Sequence, residues 1–150
     1  MSKNITVREL QYSEIDRFVP LRNALWPDSE SSHKSELRDL LAQPYRYRIF
    51  IAETDSDDWL GWLEAGLREQ PESLRPAKMG YVEGWYVEEA HRRRGVGKML
   101  LAAAEDWART CGCKVMASDT WPENEVSIAA HQHCGFTIYE RAVLFRKTLR

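Results

Sequence analysis

The residues best suited to chemistry lie in one run, Gly84-Trp85-Tyr86-Val87-Glu88-Glu89-Ala90-His91-Arg92-Arg93-Arg94-Gly95-Val96-Gly97-Lys98. It reads as a strand, a basic loop and the start of a helix. A helix N-terminus offers N–H groups that lack intrahelical acceptors, together with a partial positive charge. Glycine lets the backbone approach an anion closely, and Arg92, Arg93, Arg94 and Lys98 add full charges. The order predicts a pyrophosphate cradle. Its spacing is neither the Gly-x-Gly-x-x-Gly of dinucleotide folds nor the Gly-x-x-x-x-Gly-Lys-Ser/Thr of a P-loop. Three dispersed acids form a second set. Glu83 lies inside a predicted strand, where acids are disfavoured, and alternation points it away from Gly84. Asp119 directly follows another strand, where ligands of open α/β sheets bind. Glu140 falls between two late strands. The plain alternative for each is a surface or salt-bridged acid, and for Asp119 a turn or helix cap.

These residues need a framework, and the pattern supplies one. Ile5 to Leu10 reads as an opening strand. Ser13 caps a helix with apolar positions Ile15, Phe18, Val19 and Leu25, ended by Trp26-Pro27. Asp28 to Ser35 is polar and reads as a loop. Leu37, Leu40 and Leu41 give a short second helix that stops near Pro44. Arg48 to Ala52 and Trp59 to Leu67 read as a strand pair across the turn Asp55-Ser56-Asp57-Asp58. Glu69 to Lys78 reads as a flap and Met79 to Val87 as a fourth strand. Gly95 to Thr110 is a helix whose Val96, Met99, Leu100, Ala103, Ala104 and Trp107 form one stripe, with Gly112 past its end. Lys114 to Ala117 reads as a short buried strand, and Pro122 to Cys134 as a helix closed by Gly135. Phe136 to Tyr139 and Ala142 to Lys147 read as two final strands. The alternation predicts an α/β chain with a mixed sheet covered by helices, in a single domain over 1–150.

The Arg92-Arg93-Arg94-Gly95-Val96-Gly97 run resembles the signature Arg/Gln-x-x-Gly-x-Gly/Ala of the GNAT N-acetyltransferases. Asn124, ahead of a helix that ends in Gly135-Phe136, adds to the likeness. The resemblance implies the GNAT fold: a central mixed, mostly antiparallel twisted sheet flanked by about four helices. It implies acetyl-CoA as cosubstrate, with its pyrophosphate on the amides of the loop from Arg92 to Lys98. It further implies a pantetheine arm along the backbone of Trp85, Tyr86 and Val87, and Asn124 at the coenzyme. Further pieces are similar to the aminoglycoside 6′-N-acetyltransferase family. They are Leu25-Trp26-Pro27, Val82-Glu83-Gly84, Ala117-Ser118-Asp119-Thr120, Pro122-Glu123-Asn124, His131, Glu140-Arg141 and Phe145-Arg146-Lys147. This likeness implies a polycationic amine acceptor held by Glu83, Asp119 and Glu140, and a homodimer. Trp26 then either faces the acceptor or fills core. Many GNAT proteins have a Tyr near the coenzyme sulfur where His131 stands; the alternative for His131 is a solvated helix histidine. The flap departs from the second family: Arg68-Glu69-Gln70-Pro71-Glu72-Ser73 replaces its usual Arg-x-Asp-Tyr-Val-Asn-Gly stretch.

The expected reaction is direct attack of a neutral amine on the thioester, without a covalent enzyme intermediate. Orientation, proton removal by Glu83 or Asp119, and carbonyl polarisation by the Val87 N–H or a neighbour are then the protein's tasks. No Ser/His/Asp or Cys/His nucleophile set is evident. A polyamine, an amino acid or a protein N-terminus stands as an alternative acceptor. A non-catalytic acyl-CoA-binding module on the same fold is a further alternative. A net charge of −2 over 150 residues gives no uniform basic field for nucleic acid. No window suits a membrane span or a signal peptide. Cys111, Cys113 and Cys134 are odd in number and lack zinc-type pairing, so no metal is expected. They read as small buried hydrophobes in a reducing cytoplasm.

Overall fold

The computed structural model describes residues 4–69 and 78–150. The chain divides into two compact units, Met1–Ser118 and Asp119–Arg150. The first holds a five-stranded sheet in the order β1-β2-β3-β4-β5, with β1 at Ile5–Glu9, β2 at Tyr47–Thr54, β3 at Trp59–Glu69, β4 at Lys78–Val87 and β5 at Met116–Ser118. The first three pairings are antiparallel and β4–β5 is parallel. The sheet is therefore mixed and mostly antiparallel, as expected. Helices α1 (Ile15–Leu25), α2 (Glu30–Leu41) and α3 (Val96–Thr110) belong to this unit, and α4 (Glu125–His133) belongs to the second.

Alternation along the strands sorts the core onto two faces. Ile49, Ile51 and Trp62 gather on one face with Phe18 and Val19 of α1 and Leu37 of α2. Leu63 and its register partners Phe50 and Trp85 point the other way, toward α3, which packs on β2, β3 and β4. Helix α3 buries Val96, Leu100, Leu101, Ala104, Trp107 and Ala108, whereas Met99 of the expected stripe is exposed.

Two irregularities in β4 shape the surface around it. Glu64 pairs with Gly84 while Ala65 pairs with Val82, so Glu83 is an extra, bulged residue. And β5 pairs with β4 only at Gly80, Tyr81 and Val82. Among the described residues, the edge of β4 from Glu83 to Val87 therefore has no ladder partner on the β5 side.

Several boundaries differ from the sequence reading. Tyr12–Glu14 forms a 3-10 turn, and α1 starts only at Ile15. The expected loop from Asp28 to Ser35 is largely helix: the Ser29 hydroxyl accepts from the Ser32 N–H at 3.1 Å, and α2 runs from Glu30. Its first turns bury a histidine, His33, rather than an aliphatic residue, so apolar periodicity missed them. The short strand is Met116–Ser118, and Val115 is exposed rather than buried. Helix α4 starts at Glu125 because the Asn124 side chain caps it. The segments Phe136 to Tyr139 and Ala142 to Lys147 are described but form no strand; alternation alone supplies no backbone partner for a ladder. The flap reading falls on residues 70–77, outside the described residues, with Glu69 ending β3 and Lys78 opening β4.

Candidate active site

The basic run folds as its spacing predicts. After β4, Glu89–His91 makes a 3-10 turn. Arg93 and Gly95 then take left-handed conformations, with φ of 65° and 78°. Gly95 is the N-cap of α3, no side chain caps that end, and a Cβ at Gly95 would meet nothing within 4 Å. The first N–H groups of α3 thus lie at an end without a side-chain acceptor. Arg93, Arg94 and Lys98 are exposed around it. Arg92 Nε instead donates to the Val87 carbonyl at 2.8 Å and so ties the loop to the end of β4. At Gly97, a Cβ would sit 3.2 Å from the Trp85 ring, so α3 approaches β4 through a residue without a side chain. An open β4 edge beside an uncapped, basic helix start fits a ligand that carries both amides and a pyrophosphate.

On the α1 and α2 face lies a cleft of about 450 Å³, lined by Arg22, Glu36, Asp39, Leu40, Gln43, Arg46, Tyr47, Glu64, Leu67, Arg68 and Glu83. The bulge explains how Glu83 reaches it. A Cβ at Gly84 would lie 2.4 Å from Trp26 and 3.0 Å from Trp62, and a Cβ at Gly66 would lie 3.1 Å from Glu83 Oε1. Glu83 and Gly84 therefore share one face, not the opposite faces that strict alternation implies, because the extra residue breaks the period. Arg68 donates to both Glu83 oxygens, from Nε at 3.0 Å and Nη2 at 2.6 Å.

Deeper in the cleft is a network that sequence reasoning missed. Arg22 and Glu64 are each 4% exposed, and Arg22 Nε donates to Glu64 Oε2 at 3.2 Å. Arg22 also donates to Glu36 at 2.7 Å and meets His33 Nδ1 at 3.0 Å. Arginine can only donate, so His33 Nδ1 accepts and its Nε2–H faces Asn23 Oδ1 at 3.2 Å. Burial pushes the Glu64 carboxyl above the usual carboxylate range, and the Arg22 charge opposes this. The signal available in the sequence was an acid between Leu63 and Ala65 in an otherwise apolar strand. Trp26 is half-buried, with its ring 5.5 Å from that of Trp62 and the Arg22 guanidinium 5.0 Å over it. Tyr86 continues the aromatic row, 6.4 Å from Trp62.

Of the expected site residues, the first unit contains Trp26, Glu83 and the run from Trp85 to Lys98, and the second contains Asp119, Asn124, His131 and Glu140. Within the second, Asn124 Oδ1 accepts from the Ser127 N–H at 3.1 Å. His131 Nδ1 donates to the Ser127 carbonyl at 2.7 Å, and its ring stands edge-on to Phe136 at 5.2 Å. Asp119 and Glu140 are exposed. Among the described residues no group of three metal-ligating side chains occurs, and no helix is long and apolar enough to cross a membrane.

Residues 18–136 match the model of the acetyltransferase (GNAT) family. The chain is 36% identical to an aminoglycoside N(6′)-acetyltransferase type 1 from Acinetobacter haemolyticus, over 97% of this chain and 99% of the relative. It is 36% identical to one from Klebsiella aerogenes, over 99% and 100%. Among solved structures, the 6′-N-acetyltransferase AAC(6′)-Ih from Acinetobacter baumannii superposes with a TM-score of 0.89 at 32% identity, over 97% of this chain and 99% of that one. AAC(6′)-Iy in complex with the bisubstrate analogue CoA-S-monomethyl-acetylneamine gives 0.88 at 31% identity, with the same coverage.

Proposed function

The chain belongs to the acetyltransferase (GNAT) family, and on that premise we propose that it transfers acetyl from acetyl-CoA to the 6′-amine of aminoglycosides. The observation that carries this reading is the pairing of an open β4 edge and uncapped α3 start with a cleft on the other face of the same strand, lined by four carboxylates and three arginines. Relatives named for this activity match almost the whole chain.

The residues fit the coenzyme. N–H groups of Gly95, Val96, Gly97 and Lys98 at the α3 start would hold the pyrophosphate, with Arg92, Arg93 and Arg94 adding charge. The backbone of Trp85, Tyr86 and Val87 would pair with the amide-bearing arm, and Asn124 would contribute its carboxamide nitrogen, since its oxygen caps α4. When bound, the thioester supplies the acetyl carbonyl. Glu83 holds an ammonium of the acceptor and takes its proton, directly or through water. The Val87 N–H, at the end of the open edge, donates to the carbonyl oxygen. His131, as imidazolium, would give a proton to the departing sulfur. Asp119 and Glu140 are assigned to the polycation on their sequence match, with Asp119 as the second candidate base. Trp26 serves less as an open face than as the wall that sets Gly84, because Arg22 covers its ring.

We extend the proposal to a single acetyltransferase domain over 1–150, a cytoplasmic location and a homodimer. Relatives aligned over nearly the full length support the first. Cys111, Cys113 and Cys134, odd in number and without zinc-type spacing, support the second. Val143, Leu144 and Phe145, 78%, 78% and 91% exposed, support the third as an apolar segment for a second copy to cover.

Thiol release from acetyl-CoA on adding kanamycin or spermidine tests the reading. Kanamycin-dependent release is expected. Brisk turnover of spermidine with none of kanamycin would transfer the assignment to polyamines, and binding of coenzyme A without release to any amine would mark a binding module.

A further inference from the structure

We propose that Arg68 is an internal competitor for the acceptor carboxylate: its guanidinium occupies Glu83 in the way a substrate ammonium must, and so sets how highly charged an amine has to be to enter the cleft. The inference rests on the acceptor reading of Glu83 above.

Arg68 and Glu83 sit on neighbouring strands and on the same face. Both carboxylate oxygens are taken, at 3.0 and 2.6 Å. The guanidinium also lies 3.5 Å from the centre of the Tyr81 ring, so it makes a planar contact with the ring besides its pair with Glu83. The cation is the more exposed partner, at 46% of its side chain against 20% for Glu83.

The Arg22–Glu64 pair in the same cleft differs. Arg22 and Glu64 have side chains only 5% and 6% exposed, and breaking that pair strands a buried charge. Arg68, with nearly half its side chain exposed, can instead swing into solvent, so a ligand can displace it without burying an unpaired guanidinium. An amine can therefore reach Glu83 only in the fraction of molecules where Arg68 has let go, and its apparent affinity falls by that fraction. A monoamine offers one contact to offset the loss. A polycation offers several, with Glu36 and Asp39 also on the cleft wall. Selectivity then comes from a built-in rival as much as from attraction.

The test is steady-state kinetics with kanamycin on wild type, Arg68→Gln, Arg68→Lys, Glu83→Gln and the double variant Arg68→Gln/Glu83→Gln, with folding checked by circular dichroism. Arg68→Gln should lower KM for kanamycin about two- to fivefold, the range expected from freeing an exposed pair, while KM for acetyl-CoA holds. Arg68→Lys, which cannot span both oxygens, should fall between. In the Glu83→Gln background the gain should vanish. KM equal to or above wild type in Arg68→Gln overturns the proposal, as does a gain that persists without Glu83, which would mark a general field effect. Should Arg68→Gln fail to fold, Arg68→Lys decides: KM at or above wild type overturns the proposal. Failure of wild type to acetylate kanamycin is a separate result, which overturns the acceptor reading and this inference with it.

Discussion

Gly84 shows how one residue without a side chain organises the site. A Cβ there would lie 2.4 Å from Trp26 Cη2 and 2.7 Å from Cζ2, separations that no packed pair tolerates. Gly84→Ala should therefore push Trp26 off Gly84 and cost about 1–3 kcal/mol, the usual penalty of overpacking. Urea unfolding followed by tryptophan fluorescence would measure it. A midpoint equal to wild type would mean that the ring yields freely. The run from Arg92 to Gly97 was legible because a helix start and its glycines leave a local signature. The shared face of Glu83 and Gly84 was not, because a bulge is settled by the neighbouring strand's register. Glu64 escaped for a related reason: an acid in a strand looks misplaced until Arg22, 42 positions away in sequence, reaches it.

Among the elements, α3 carries the clearest expectation. Its second residue, Gly97, faces Trp85, so Gly97→Trp should fill the space between helix and strand and abolish coenzyme A binding in calorimetry. Retained secondary structure with wild-type affinity would mean the cradle lies elsewhere. The start of α1 gives a pH-dependent case. Arg8 donates to both Glu14 oxygens at 2.8 Å and to Glu53, joining β1, β2 and the turn ahead of α1. The hydrogen bond from Arg8 holds the Glu14 carboxyl below the usual glutamate value of 4.5. A depressed carboxylate stabilises the fold above the unfolded value and loses that contribution as pH falls through the folded one. Glu14→Gln should thus lower Tm at pH 7, and the gap to wild type should close as pH drops below about 4.5. A gap that stays constant into acid would deny the ion pair any role. The position of α3 was readable from its apolar stripe. The first turns of α2 were not, since His33 is buried by its bonds to Arg22 and Asn23 rather than by apolarity.

For the whole molecule, the order of strands and helices was legible through α4, where each element carries its own periodicity and ends in its own turn or cap. Beyond that, the apolar alternation of the final segment reads as two strands that the structure does not form, because a ladder depends on a partner backbone. The identity of the acceptor depends on a carboxylate-lined cleft and on near-full-length relatives, and it predicts a regiospecific reaction. The direct test offers kanamycin, which carries a 6′-amine, beside an analogue with hydroxyl at that carbon, and locates the added acetyl group by mass spectrometry. One acetyl on the 6′-nitrogen of kanamycin and none on the analogue is the expected result. Equal acetylation of both would contradict the assignment, because the analogue lacks the nucleophile on which it depends.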